Sequence, residues 1–223
     1  MRSRPAFRAG HCKSLVLLLA TLAASTGGSP TSRAAPAGDF DFYVLALTWL
    51  PGFCLAEAGK ADPKECARPD GFLVHGLWPQ FESGYPKDCG ASAGPDRAAE
   101  RGVLDIMPSA GLAGYEWRSH GTCTGLDEKA YFAQERAAFA RIRIPPAFHA
   151  PEKRIRTTPA AVEQAFVRAN PGLDRGSIAV ECRGGVLTGV RICLGKDLGF
   201  RSCAEIDRQA CHMQWISAPP PAR

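Results

Sequence analysis

Apolar and polar positions along the chain fall into segments of different period. Residues 15–24 (LVLLLATLAA) are apolar without interruption. Phe40 to Trp49 (FDFYVLALTW) is β-branched and aromatic and is bounded by Pro51-Gly52, which predicts a buried strand. Phe72-Leu73-Val74 predicts a short second strand, stopped by Gly76-Leu77-Trp78-Pro79. Cys54 to Asp70 and residues 82–95 are rich in turn formers and predict loops. Tyr131, Phe132, Ala138, Phe139 and Ile142 fall near one helical face, which predicts a helix from Asp127 to Ile142. Arg97 to Met107 and Tyr115 to His120 are further helix candidates, the second ended by Gly121. Thr158 can cap a helix with Pro159 at its first position, ending near Asn170-Pro171-Gly172. Ser177–Cys182 and Val186–Leu194 predict paired strands around Arg183-Gly184-Gly185, and Phe200–Ile206 another strand. Strands at both ends with helices grouped between them predict an α+β domain.

The apolar run at 15–24 comes after Arg2, Arg4, Arg8 and Lys13, the layout of a secretory signal peptide. A membrane-spanning helix needs roughly 20 apolar residues, so the run is too short for one. The expectation is a signal peptide and lead-in over 1–34, cleaved between Ala23 and Ala35, a single domain over 35–217 and a proline-rich tail over 218–223. The mature chain is then exported, periplasmic or secreted, and not held in a membrane. Charge agrees: the formal net charge is +5, yet Arg2, Arg4, Arg8, Lys13 and Arg33 precede Gly38 with no acid among them. From Gly38 onward the chain carries 22 basic and 22 acidic residues, so bulk charge does not argue for a polyanionic partner. Any nucleic-acid function must come from a site. Of nine cysteines, Cys12 lies in the leader. Cys54, Cys66, Cys89, Cys123, Cys182, Cys193, Cys203 and Cys211 remain, an even set that predicts four disulfides in an exported chain. Sequence alone leaves 105 pairings open. No C-x-x-C pair supports a zinc site.

Four histidines lie beyond the leader: His75, His120, His149 and His212. His75 and His120 each precede a glycine, and Glu116 stands four residues before His120, on the same face of a helix. A carboxylate there can orient an imidazole or raise its pKa. Two imidazoles and a carboxylate suit acid–base chemistry on a phosphodiester: one removes a proton from the nucleophile and the other gives one to the leaving oxygen. If the nucleophile is the ribose 2′-hydroxyl, the first step needs neither metal nor water, and the substrate is RNA rather than DNA. His149 and His212 match no motif.

The segments FLVHGLWPQ at 72–80 and YEWRSHGTC at 115–123 resemble the two active-site segments of the ribonuclease T2 family of exported RNases, with the two histidines 45 positions apart. TWLPGFC at 48–54 resembles the strand and loop that open the family's mature domain. The resemblance implies an antiparallel sheet with helices alongside and cleavage of RNA to 2′,3′-cyclic phosphates. It assigns His75 as general acid, His120 as general base, Glu116 as the acidic residue beside it, and Trp78 as a shaper of the site. It also implies the pairings Cys54–Cys66, Cys89–Cys123, Cys182–Cys211 and Cys193–Cys203. The expected enzyme is a monomer of low base selectivity, needing no cofactor or metal.

Two positions depart from the family pattern. Tyr115 replaces its leading histidine and Ser119 its lysine, which is thought to stabilise charge on the phosphorane-like transition state. Ser119 and Arg118 are candidates for substrate contact, although Arg118 is two residues from Glu116 and falls on the far side of a regular helix. Lys87 and Arg97 are further sources of positive charge. Trp49, Phe53, Phe81 and Tyr85 are candidates for stacking on bases. Two rivals stand beside this reading: a binding module on the same scaffold with an impaired site, and a zinc hydrolase using His75, His120 and Glu116.

Overall fold

The computed structural model describes residues 36–90 and 96–222, and the backbone of Ser32 and Arg33. In chain order the strands are β1 (Ser32–Arg33), β2 (Phe42–Trp49), β3 (Phe72–Gln80), β4 (Tyr85–Pro86), β5 (Ile155–Thr157), β6 (Ile178–Arg183), β7 (Val186–Leu194) and β8 (Ile216–Ala218). The α-helices are α1 (Leu50–Ala56), α2 (Pro63–Cys66), α3 (Arg97–Arg101), α4 (Ala110–Ser119), α5 (Glu128–Ala140), α6 (Pro159–Ala169) and α7 (Ala204–Asp207). The main sheet runs β3-β2-β7-β8-β5, with β6 pairing β7, and its pairs are antiparallel except for one parallel contact between β7 and β8. Helices α4, α5 and α6 pack beside it, so the α+β class expected from the element order holds.

The larger core lies between the sheet and these helices. Leu45, Leu47, Val74, Leu77, Val190 and Ile192 meet Trp117, Tyr131, Phe132, Val162 and Phe166 there. A smaller cluster, Phe42, Val44, Ala179, Cys193, Cys203 and Ile206, fills part of the other face, with Trp78 at its margin. The helix starts obey their caps. Asp127 accepts from the Ala130 amide at 2.8 Å, Ser109 from Leu112 at 3.2 Å and Thr158 from Ala161 at 3.1 Å. The four disulfides are Cys54–Cys66, Cys89–Cys123, Cys182–Cys211 and Cys193–Cys203, the pairing that the resemblance implies.

Several elements differ from expectation, each for a physical reason. β3 does not stop at Val74 but runs to Gln80. It is the outermost strand, so the missing N–H of Pro79 costs no ladder bond. Its alternation is broken because Ala46 pairs with Gly76 and Leu47 with Val74, leaving His75 as the extra residue of a β-bulge. The Arg97–Met107 helix ends at Arg101. Beyond it, the Arg68 guanidinium takes the carbonyls of Leu104, Met107 and Pro108, and no helical ladder competes for them. The Cys54–Asp70 stretch is not all loop, since it holds the end of α1 and all of α2. Phe200–Ile206 makes a single bridge to Leu194 and then enters α7 instead of adding a strand. The expected tail begins inside β8, and the Pro219 carbonyl accepts the Trp49 indole N–H at 3.1 Å. Of the expected leader, residues 1–31 and 34 fall outside the described residues.

Candidate active site

The bulge in β3 is what aims His75. Val74 and Leu77 are both buried in the larger core although they are three residues apart. The extra residue absorbs the difference, and His75 and Trp78 emerge together on the other side of the strand. The Nδ1 atom of His75 lies 3.2 Å from the Thr48 hydroxyl. Its Nε2 lies 3.4 Å from one carboxylate oxygen of Glu116, an ion pair when the ring is protonated. The other oxygen of Glu116 accepts the Trp78 indole N–H at 2.6 Å. Glu116 is 1% exposed, and each of its two oxygens has one of these partners within reach.

Gly76 makes this geometry possible. A Cβ there would stand 2.2 Å from the Glu116 carboxylate and 2.6 Å from the Trp78 indole nitrogen. Gly121 answers the same need beyond α4, where a Cβ would stand 2.2 Å from the Trp117 ring. The two glycines after the two histidines are therefore demanded by close packing.

His120 comes directly after the last residue of α4, with φ −127° and ψ −44°, and has left helical geometry. The Glu116 carboxylate consequently bonds to His75 and Trp78, and its tie to the His120 side chain is electrostatic only. Burial pushes the His120 imidazole below the usual histidine range; Glu116 opposes this, while Lys87 and His75 add to it. Its Nδ1 is buried without a hydrogen-bond partner. The Trp78 ring adjoins both imidazoles, its centroid 5.6 Å from His75 and 5.5 Å from His120.

The site opens to solvent at two places. One, of about 310 Å³, is lined by His120, Trp78, Gln80, Tyr85, Lys87 and Tyr115, with Arg191, Ile206 and Gln209 closing it. The other, of about 390 Å³, lies on the side of His75 and Thr48, with Phe53, Ser109, Asp62 and Glu65 on its walls. Arg191 lies over the Trp78 ring at 5.3 Å and is paired with Glu181 at 2.6 Å.

Among residues expected at the site, the structure brings together His75, Trp78, Glu116 and His120, with Phe53 and Tyr85 beside them. It does not bring Trp49, which is fully buried among Phe72 and Phe148. Phe81 packs against the core. Ser119 is 4% exposed and lines neither opening. Arg118 points to the opposite side of α4, beside Gly114 and the buried carboxylate of Glu100, and it also acts on Glu128. His149 binds the Ile144 carbonyl at 2.7 Å, and His212 is exposed and lines neither opening. Arg191, Gln80 and Gln209 were missed. Strand alternation from Val190 places Arg191 on the face away from the larger core, a signal the sequence did offer.

A family model described as "Ribonuclease T2 family" matches residues 40–203. The chain belongs to that family. A protein named "Ribonuclease" from Aeromonas hydrophila is 33% identical over 191 residues, covering 83% of this chain and 86% of its own length. Ribonuclease I of Escherichia coli is 29% identical over 163 residues, 52% of this chain and 59% of that one. The fold matches an RNase-related protein from Calystegia sepium with a TM-score of 0.64 at 21% identity, over 81% of this chain and 97% of that one. Membership of this family supports ribonuclease activity, and the two segments that resemble the family's active-site segments lie on neighbouring elements, β3 and α4. Among the described residues, no helix is long and apolar enough to cross a membrane.

Proposed function

We propose that this chain is an endoribonuclease that cleaves single-stranded RNA through the ribose 2′-hydroxyl, leaving 2′,3′-cyclic phosphate ends, without a metal. The observation that carries this reading is the pair of imidazoles that both adjoin Trp78, with Glu116 bonded to only one of them. The two rings are thereby made unequal. His120, held neutral by burial, takes the proton of the 2′-hydroxyl as its oxygen attacks phosphorus. His75, within ion-pairing distance of Glu116, gives a proton to the departing 5′-oxygen. Both proton transfers are met by side chains, so no metal-bound water is needed for the first step.

The rings of Trp78 and Tyr85 offer stacking faces beside His120. The amides of Gln80 and Gln209 in the same opening can each donate and accept, which suits more than one base and supports low base selectivity. RNase MC1 and RNase NT, two proteins of this fold, form complexes with 5′-UMP and 5′-AMP, in line with a nucleotide at such a site. The basic and apolar leader and the four disulfides support export to an oxidising compartment, periplasmic or extracellular.

The test is incubation of the purified protein with RNA in EDTA, and then analysis of the product ends. Cleavage to cyclic phosphates, abolished by a 2′-deoxy substitution at the cleaved position, supports the reading. Recovery only with added zinc means a metallohydrolase. No cleavage under either condition means a binding module, as the departures at Tyr115 and Ser119 would allow.

A further inference from the structure

We propose that Lys87 is the catalytic cation of this ribonuclease, filling the role that the family gives to a lysine at the position of Ser119. The inference rests on the proposed reaction and adds to it a residue that lies outside both active-site segments. Ser119 is buried and uncharged, and Arg118 points away from the site, toward Glu100 and Glu128. Lys87 instead lines the opening that holds His120 and Trp78.

Its place is fixed by three ties to the end of α4. Tyr85, two residues before it, stands 6.4 Å from the His120 ring, centroid to centroid. The Asp88 amide, one residue after it, donates to the Ser119 carbonyl at 3.0 Å. Cys89 is bonded to Cys123, three residues beyond His120. The segment 85–89 is thus held against the turn that carries the proposed base. Arg191 is the other cation in this opening. Its guanidinium is shared among Glu181 at 2.6 Å, Gln209 at 3.2 Å and the Trp78 face, which suits it to guide the chain of RNA rather than to meet new charge.

The chemistry asks for such a cation. The 2′-oxygen bonds to phosphorus, its proton passes to His120, the bond to the 5′-oxygen breaks, and His75 supplies that oxygen's proton. Between these events the non-bridging oxygens carry more negative charge than in bound RNA. A fixed ammonium beside them stabilises the transition state more than the ground state. Lys87 keeps its protons throughout.

Lys87→Gln is expected to lower kcat by roughly 10²-fold while changing KM little. Lys87→Arg should keep most of kcat, and Arg191→Gln should act mainly on KM. An independent readout is the His120 titration tracked by NMR. The groups that act on this ring are Glu116, Lys87, His75 and Asp88. Removing Lys87 alone should raise its pKa toward the ordinary histidine value. Lys87→Met gives the same two readings if the glutamine variant misfolds. A wild-type protein that cleaves RNA, with Lys87→Gln of undiminished kcat or with the kcat loss appearing in Arg191→Gln instead, overturns this inference alone. A wild-type protein that does not cleave RNA overturns the proposed function and this role with it.

Discussion

Glu135 sits in the middle of α5 with no exposed surface, and neither carboxylate oxygen has a hydrogen-bond partner. Burial pushes its pKa well above the ordinary 4.5, Glu116 pushes the same way, and the Leu77 backbone and Arg136 oppose. The folded state therefore keeps a proton that the unfolded chain gives up. Between the unfolded value and the raised folded one, stability falls as pH rises, at up to about 1.4 kcal/mol per pH unit for this one group. In a domain of this size each kcal/mol moves Tm by roughly 2–4 °C, so Tm should fall by at most roughly 3–6 °C per pH unit over that window. Glu135→Gln keeps the shape and removes the titration. Thermal unfolding of both proteins at pH 4.5, 5.5, 6.5 and 7.5 should show the variant gaining on wild type as pH rises. A constant offset is expected from the new amide and does not matter; the change in the difference with pH is the signal. His120, whose lowered pKa acts in the opposite direction, is present in both proteins and cancels. Parallel curves of Tm against pH would refute the argument that Glu135 is buried as a neutral acid.

Three further outcomes are expected. Gly76→Ala should drive the Glu116 carboxylate and the Trp78 indole apart and cut kcat by roughly 10²-fold, since small displacements at such a site are costly; steady-state kinetics with a circular-dichroism check measures it, and an active variant contradicts the contact. The profile of kcat/KM against pH should be a bell whose acid limb lies below the ordinary histidine value of 6.5, because burial lowers His120; initial rates from pH 4 to 9 test this, and a rate still rising at pH 9 rules out the two-histidine scheme. Replacing Cys54 and Cys66 together should cost on the order of 3 kcal/mol, as expected for a loop of this length; denaturant titration decides it, and an unchanged midpoint speaks against the entropic account.

Local chemistry was readable from the sequence wherever several signals agreed. Helices α5 and α6 were legible because their caps, Asp127 and Thr158, and their apolar faces point to the same boundaries. The paired strands β6 and β7 were legible from the glycine turn between them. His75, Glu116 and His120 were legible because their segments match a family, which also supplied the disulfide pairing that spacing left open. The length of β3 was hidden by its bulge, since one extra residue at His75 breaks the period by which a strand is recognised. Lys87 was only a candidate for the positive charge, because its place depends on Cys89–Cys123 and on a backbone bond to Ser119, both long-range. Glu135 was invisible: on a sequence it is one more charged helical residue, and only the packed structure shows it without a partner.

The strand that carries the proposed acid is also an exposed flank of the sheet, and such flanks are where chains stick to one another. β3 leaves little for a second molecule to grasp. Its Val74 amide is bonded to the Ile106 carbonyl, and the Tyr131 hydroxyl bridges the amide and carbonyl of Leu77. At Pro79 there is no amide to offer. The kink at His75 spoils the flat repeat that a foreign strand would need. The features that shape this site thus also keep the protein from polymerising through the edge that holds it, so a substitution restoring an N–H at position 79 would put solubility at risk while leaving His75, Glu116 and His120 in place.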